Sequence, residues 1–333
     1  MLISIFHPMF FITLILGVLI SISSSSWFAA WVGLELNLLS FIPIIAIKKN
    51  SFSSEASLKY FLVQALGSAT IIAAASLTLS SSLNTNLLIE SSLLLKMGAA
   101  PFHFWFPQVM EGLDWASAIV LMTIQKTAPM VLISYTLSSP LNQTYLMMFA
   151  LTSSLVGAFG GINQTMLRKI LAFSSINHMS WMLLSMSLSE TYWLYYFIFY
   201  CIISSSIGVL FLFQQAFHIS HLSSNSTPPM VKLLTLISLL SLGGLPPFVG
   251  FFPKWLIIQQ LALGLQMVPL LVMLFAALIT LYYYLRIIIS SVTLHSLKTT
   301  WSLTQYKTMK LFTPTMLAFN LLSLLIIPSL LFF

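Results

Sequence analysis

LGGLPPFVGFFPKWLIIQQ, residues 242–260, lies inside an apolar segment long enough to cross a bilayer, yet it is interrupted at its centre. Gly243 and Gly244 weaken a helix there. Pro246 and Pro247 each remove a backbone donor and crowd the preceding turn. Lys254 then brings a charge to membrane depth. Unpaired backbone groups in hydrocarbon cost several kcal/mol each, and a Lys at the centre of a spanning helix costs about 2.5–3.5 kcal/mol. Such costs are tolerated mostly where irregular backbone lines a polar path. The first expectation is therefore translocation of ions or protons through a membrane.

The rest of the chain fits that setting. Of 333 residues, 59% are hydrophobic and only 6% charged, with a mean hydropathy of +1.00. A soluble domain is charged at roughly a quarter of its positions, so residues 1–333 are read as one transmembrane domain. The net charge of +7 reads as membrane orientation and not as nucleic-acid binding. A single cysteine, Cys201, excludes a Cys-ligated iron–sulfur cluster, a CxxC pair and an internal disulfide. No GxGxxG or P-loop is present, so no nucleotide fingerprint exists. Residues 3–23 are read as a retained span and not as a cleaved leader.

The predicted fold is an all-α polytopic membrane protein with eleven transmembrane helices. They fall at roughly 3–23, 26–47, 57–80, 86–106, 114–137, 144–165, 170–188, 191–216, 231–262, 267–289 and 311–332. Charge tests the count. With the N-terminus on side A, that side receives Lys48, Lys49, Lys59, Arg168, Lys169, Lys232, Arg286, Lys298, Lys307 and Lys310. Side B receives no Lys or Arg. Splitting the ninth segment into two would move the last four basic residues to side B and destroy this asymmetry. The positive-inside rule then puts the N-terminus on the cytoplasmic or matrix side and the C-terminus opposite.

Two five-helix repeats are visible in the layout, at about 1–140 and 141–290, with 311–332 left as a peripheral helix. Each has a Lys-bearing, Pro-interrupted fourth member. In span 4 the interruption is Lys96-Met-Gly98-Ala-Ala-Pro101; in span 9 it is Gly243 to Pro247, followed by Lys254. A repeat of five spans must be inverted relative to its partner. Paired discontinuous helices, 4 and 9, in inverted halves point to a translocation site near the midplane.

Four ionisable residues carry the reading: Glu35 in span 2, Lys96 in span 4, Lys126 in span 5 and Lys254 in span 9. Any one of them has a bland alternative, as a structural ion pair or a side chain snorkelling to the interface. Together, with two beside helix breaks, they suggest a polar axis. Burial disfavours a charged side chain and a neighbouring opposite charge favours it, so a proton arriving beside such a Lys changes the proton affinity of the next. Lys suits this exchange better than Arg, which does not give up its proton. His178, among Ser and Asn in span 7, and His103, just after the span 4 break, are candidate relay stations; the plain alternative is a histidine hydrogen-bonded to a neighbouring helix. His218 and His221 form too weak a cluster for a metal site, and none is expected. Glu55 and Lys59 are spaced for a surface ion pair. Gly157, Gly160 and Gly161 permit close helix packing.

These residues also sit in longer motifs. Trp31-Val-Gly-Leu-Glu35-Leu-Asn37, Glu55-Ala-Ser-Leu-Lys59-Tyr-Phe, Lys96-Met-Gly-Ala-Ala-Pro-Phe-His-Phe-Trp-Phe-Pro107, Gln125-Lys126-Thr-Ala-Pro129, Arg168-Lys-Ile-Leu-Ala-Phe-Ser-Ser175 and Pro253-Lys254-Trp255 resemble the subunit 2 family of mitochondrial NADH:ubiquinone oxidoreductase, respiratory complex I. The resemblance runs through nearly the whole chain. It implies an antiporter-like, proton-pumping subunit of the membrane arm, in the animal mitochondrial form that has eleven helices where bacterial counterparts have fourteen. It assigns Glu35 and Lys96 to the ion pair of the first half-channel, Lys126 to the connecting position and Lys254 to the second broken helix. It implies a multi-pass protein of the mitochondrial inner membrane, N-terminus in the matrix and C-terminus in the intermembrane space. NADH, FMN, iron–sulfur clusters and ubiquinone would be bound by other subunits, with no cofactor in this chain. Implied partners are neighbouring antiporter-like and small membrane subunits, accessory subunits and phospholipids such as cardiolipin, with no nucleic acid. Two alternatives remain: a subunit of an Mrp-type cation/proton antiporter, and a scaffold whose channel is inactive.

Overall fold

A chain this apolar has one inexpensive way to satisfy its backbone in hydrocarbon, the helix, in which every interior N–H finds a carbonyl within the same segment. The computed structural model of the protein describes residues 2–46, 50–80, 85–137, 139–224 and 229–293, and those residues are helical almost throughout. The predicted span at 311–332, and the part of the polar segment 290–310 beyond residue 293, lie outside the described residues.

The chain divides into two compact units between Ser153 and Ser154. The first contains α1 (Leu2–Ser23), α2 (Trp27–Ala46), α3 (Ser51–Ser80), α4 (Thr85–Met97), α5 (Trp105–Gly112), α6 (Trp115–Met122), α7 (Ile124–Thr136) and the start of α8 (Pro140–Gly161). The second contains the rest of α8, α9 (Leu167–Leu188), α10 (Glu190–Gln214), α11 (Ile219–Ser224), α12 (Pro229–Gly243), α13 (Phe251–Leu263) and α14 (Met267–Thr293). Six stretches among the described residues are long and apolar enough to cross a membrane: Trp27–Ala46, Ser51–Thr78, Trp115–Thr136, Pro140–Gly161, Glu190–Gln214 and Met267–Ser291. Large apolar side chains such as Phe28, Leu66, Leu271 and Leu278 are exposed, as expected of a surface that meets lipid.

Many serines sit within these helices, and their hydroxyls are satisfied locally. Ser21, Ser40, Ser92, Ser153 and Ser174 each donate to the carbonyl three residues back, at 2.6–2.9 Å. A serine that closes on its own helix adds no unmet polar group to the core.

Helix packing rests on glycine where two backbones touch. A Cβ on Gly33 of α2 would stand 2.5 Å from Ser21 N and 2.7 Å from Gly17 O. A Cβ on Gly17 of α1 would stand 2.8 Å from both Asn37 N and Gly33 O. The two glycines therefore form one reciprocal crossing, the small-residue interface by which helices associate when lipid supplies no hydrophobic drive. In the second unit Gly157 does the same for α8 on α9, with Asn177 N 2.7 Å from the virtual Cβ.

Span 5, expected at 114–137, is one apolar stretch over Trp115–Thr136 that is interrupted at Thr123, whose backbone sits at φ −112°, ψ −78° between α6 and α7. The Thr123 hydroxyl donates to Ile119 O at 2.7 Å, and the Lys126 N–H turns to Thr123 O at 3.1 Å instead of continuing the ladder. Downstream, Pro129 lies inside α7 and offers no N–H to Gln125 O. The interruption places Lys126 in the first turn of α7.

Candidate functional site

The break in span 4 leaves the last carbonyls of α4 without helical partners, and those of Leu94, Leu95 and Lys96 are met by defined groups. Gly98 takes φ +75°, a conformation open to glycine at no steric cost. Its N–H bonds Leu95 O at 3.1 Å, and the Ala99 N–H bonds Leu94 O at 3.0 Å. Trp105 Nε1 adds a second donor to Leu95 O at 3.1 Å, Gln64 Nε2 donates to Lys96 O at 2.9 Å, and the Thr152 hydroxyl reaches Ala100 O at 3.1 Å. An irregular stretch at membrane depth persists because protein groups replace the missing ladder.

Lys96 and Lys126 meet around one cavity. It is lined by residues of α2, α3, α4, α5, α6 and α7, including Asn37, Tyr60, Gln64, Lys96, Gln125 and Lys126, and offers about 20 Å³ to the centre of a water molecule. Roughly 10–15 Å³ by that measure suffices for one water. Both lysines are buried, Lys96 at 6% exposure and Lys126 at 2%. The Lys126 ammonium stands 4.9 Å from the centroid of the Phe106 ring, a cation–π contact in a low-dielectric setting. Along the wall, Tyr60 Oη donates to Gln125 Oε1 at 3.1 Å, and Gln125 Nε2 donates to Asn37 Oδ1 at 2.8 Å. Glu35 is half-buried, its Oε2 has no hydrogen-bond partner, and its charge acts on Lys96.

Gln125 was not singled out by the sequence, yet it joins two buried polar side chains. Gln125→Leu is expected to cut the wall network while leaving the fold in place. A side-chain hydrogen bond within a membrane averages about 0.6 kcal/mol, so the thermal midpoint should fall only slightly. A large loss of thermal stability would reverse this reading.

In the second unit Lys254 lies beyond its helix break, in α13, and folds back onto it. Gly244 takes φ +77° as α12 ends. Lys254 Nζ donates to Gly243 O at 3.0 Å and to Leu242 O at 3.4 Å and is 5% exposed. A cation at a helix C-terminus meets the negative end of the dipole and supplies donors to orphan carbonyls. A Cβ on Gly244 would come within 2.9 Å of Lys254 Cδ, so glycine keeps the slot open. Lys96 precedes its break and Lys254 follows its own, and only Lys254 folds back to donate to the carbonyls at its break.

His178 is buried in α9, with Nδ1 2.9 Å from Tyr196 Oη and its ring 5.3 Å from that of Tyr200. Tyr283 and Tyr284 stack edge to face at 4.7 Å and are also buried, so His178 belongs to a unit rich in buried phenols. His103 has a different fate. It is half-buried in the loop after α4, Nδ1 3.2 Å from Pro101 O and its ring against Phe104, and it is not among the residues lining the Lys96 cavity. Glu55 and Lys59 form the expected exposed pair at 2.7 Å. Arg286 donates to Ile162 O and Gln164 O, closing the carbonyl end of α8. Glu90 was left out of the four charged residues, although it falls within the predicted span 86–106; it is fully buried in α4.

A family described as NADH:quinone oxidoreductase/Mrp antiporter, TM, matches residues 24–87 and 77–280. The chain is 48% identical over 313 residues to NADH-ubiquinone oxidoreductase chain 2 of Anopheles gambiae, spanning 89% of each chain. It is 39% identical over 327 residues to the Oryctolagus cuniculus protein of the same name, spanning 93% of this chain and 94% of that one. Among solved structures it is similar to a chain of respiratory complex I from Thermus thermophilus with bound aureothin. There the TM-score is 0.83 at 24% identity, over 96% of this chain and 78% of that chain. A chain of the Mrp complex from Dietzia sp. DQ12-45-1b gives a TM-score of 0.79 at 18% identity, over 88% of this chain and 61% of that chain. At these identities the structural likeness speaks for the fold alone.

Proposed function

Because this chain belongs to the NADH:quinone oxidoreductase/Mrp antiporter family, and within it groups with NADH-ubiquinone oxidoreductase chain 2 proteins, we propose that it is a proton-translocating, antiporter-like subunit in the membrane arm of mitochondrial respiratory complex I. The observation that carries the reading is the cavity of the first unit, where two buried lysines share a polar wall with room for water. Two cations lining one cavity repel, and the Glu35 carboxylate opposes that repulsion. A change in charge at Glu35 or at one lysine therefore alters the proton affinity of the other, and water in the cavity carries the proton between them. Lys254, on the carbonyls of α12, is the corresponding station of the second unit, and His178 is a relay within that unit. His103, outside the cavity lining, is a station at the span 4 loop.

The proposed architecture is eleven spans in two inverted five-helix repeats with a peripheral helix at 311–332. The N-terminus faces the matrix and the C-terminus the intermembrane space, the side assignment following from ten basic residues on one side. Electron transfer from NADH through FMN and iron–sulfur clusters to ubiquinone takes place in other subunits, and this chain responds through its charged residues. Its partners are neighbouring antiporter-like and small membrane subunits, accessory subunits, and phospholipids such as cardiolipin.

Membranes solubilised in mild detergent and resolved on a native gel provide the test. The chain is expected to migrate with NADH dehydrogenase activity in a very large assembly. Migration apart from that activity would instead support an Mrp-type cation/proton antiporter, whose cation exchange in vesicles needs no redox enzyme.

A further inference from the structure

α4 carries a second buried ionisable side chain that the lysine cavity does not use. Glu90 is 0% exposed, and neither carboxylate oxygen has a hydrogen-bond partner. The polar groups beside it are Thr136, at the end of α7, and Asn142, in the first turn of α8. Thr136 Oγ1 donates to Ile133 O at 2.8 Å, and Asn142 Nδ2 uses one of its two hydrogens on Thr136 O at 2.7 Å. Tyr145, one turn further along α8, is within electrostatic reach. Glu90 therefore sits near the membrane face at which α4 and α8 begin and α7 ends. Six residues of helix rise separate it from Lys96, about 9 Å along the axis.

An unpaired carboxylate removed from water faces a desolvation cost of several kcal/mol. The group escapes that cost by carrying a proton. Burial among a hydroxyl, an amide and a phenol supplies neighbours that can hydrogen-bond the carboxyl without adding a fixed charge.

We propose that Glu90 is a proton-binding site of the first unit, which exchanges protons between this membrane face and the Lys96–Lys126 cavity. The inference rests on the proton-translocating reading given above. In the exchange only an O–H bond of Glu90 is broken and re-formed, and the proton crosses the remaining distance to Lys96 through water. The carboxyl is neutral while loaded and is charged only in the moment between release and reloading.

The test uses the assembled complex in membrane vesicles. Dicyclohexylcarbodiimide reacts with protonated carboxyls in apolar surroundings, and peptide mass analysis reads which residue it modifies. Glu90 is expected to be modified in preference to Glu55, which is exposed and ion-paired. Glu90→Gln, which keeps the shape and removes the exchangeable proton, is expected to oxidise NADH while moving fewer protons per NADH. Glu90→Asp, which keeps a carboxyl, should recover part of the ratio, and it decides the matter if the Gln variant does not assemble. An unmodified Glu90 overturns the proposal. So does labelling abolished by added Na⁺, which would identify a cation site, and so does a Glu90→Gln complex with an unchanged ratio. Lys126→Met in the same preparation separates the two readings: a lowered ratio there with none in Glu90→Gln removes only Glu90, whereas unchanged ratios in both remove proton translocation through this chain.

Discussion

Lys126→Met is expected to yield an assembled complex that oxidises NADH but whose proton movement through this subunit is lost. Met is close to Lys in length and apolar, so it fills the same space against Phe106 without the ammonium. A Lys at membrane depth costs about 2.5–3.5 kcal/mol to insert, so the substitution removes a cost to the fold. Stability should be unchanged or improved. Function should fall steeply, because a barrier higher by only 1.36 kcal/mol already slows a step about tenfold, and no proton acceptor replaces Lys126 at the start of α7. Vesicle acidification against NADH consumed would show a reduced ratio. An unchanged ratio in a fully assembled complex would favour the scaffold reading, in which the chain holds its neighbours together and carries no protons.

Gly33→Val is expected to act in the opposite way, abolishing assembly while touching no ionisable residue. Even a bare Cβ at this position would lie 2.5 Å from Ser21 N, and valine adds two branches to it. The atoms it meets belong to backbone, so no side chain can swing aside. Overpacking in a well-packed core costs about 1–3 kcal/mol, and here α1 must separate from α2, losing the crossing that also seats Gly17. The amount of this chain recovered in the large assembly on a native gel should fall sharply, with Gly33→Ala intermediate. Leu36→Val, at an exposed position on the same helix, should leave assembly intact. Loss of NADH-coupled pumping with full assembly in Gly33→Val would mean that the crossing is looser than it stands here.

Much of this protein follows from its sequence alone. An apolar chain with so few charges has to satisfy its backbone in helices, and the described residues are helical almost throughout. The helix breaks at Gly98 and Gly244 are likewise legible, because glycine and proline act on the backbone locally. The motifs around Glu35, Lys96, Lys126 and Lys254 carry the family membership that the similarity to chain 2 proteins bears out.

What tertiary structure decided depends on groups that meet across helices. Lys96 and Lys126 share a cavity because α4 and α7 pack together; their separation in sequence says nothing of it. Gln125 became important only when Tyr60 and Asn37, from two other helices, closed on its amide. The interruption at Thr123, where N–H and hydroxyl both bond Ile119 O, carries no glycine or proline signal at that residue. His103 and His178 were both candidate relay stations in sequence, yet one bonds its own loop and the other a tyrosine of the next helix. Glu90 was plain in the sequence but reads as an ordinary helix-end acid until burial shows it withdrawn from the bulk solvent. Local backbone preference and charge placement are properties of neighbours along the chain. Burial, shared cavities and hydrogen-bond partners are properties of residues brought together by packing, and only the fold supplies them.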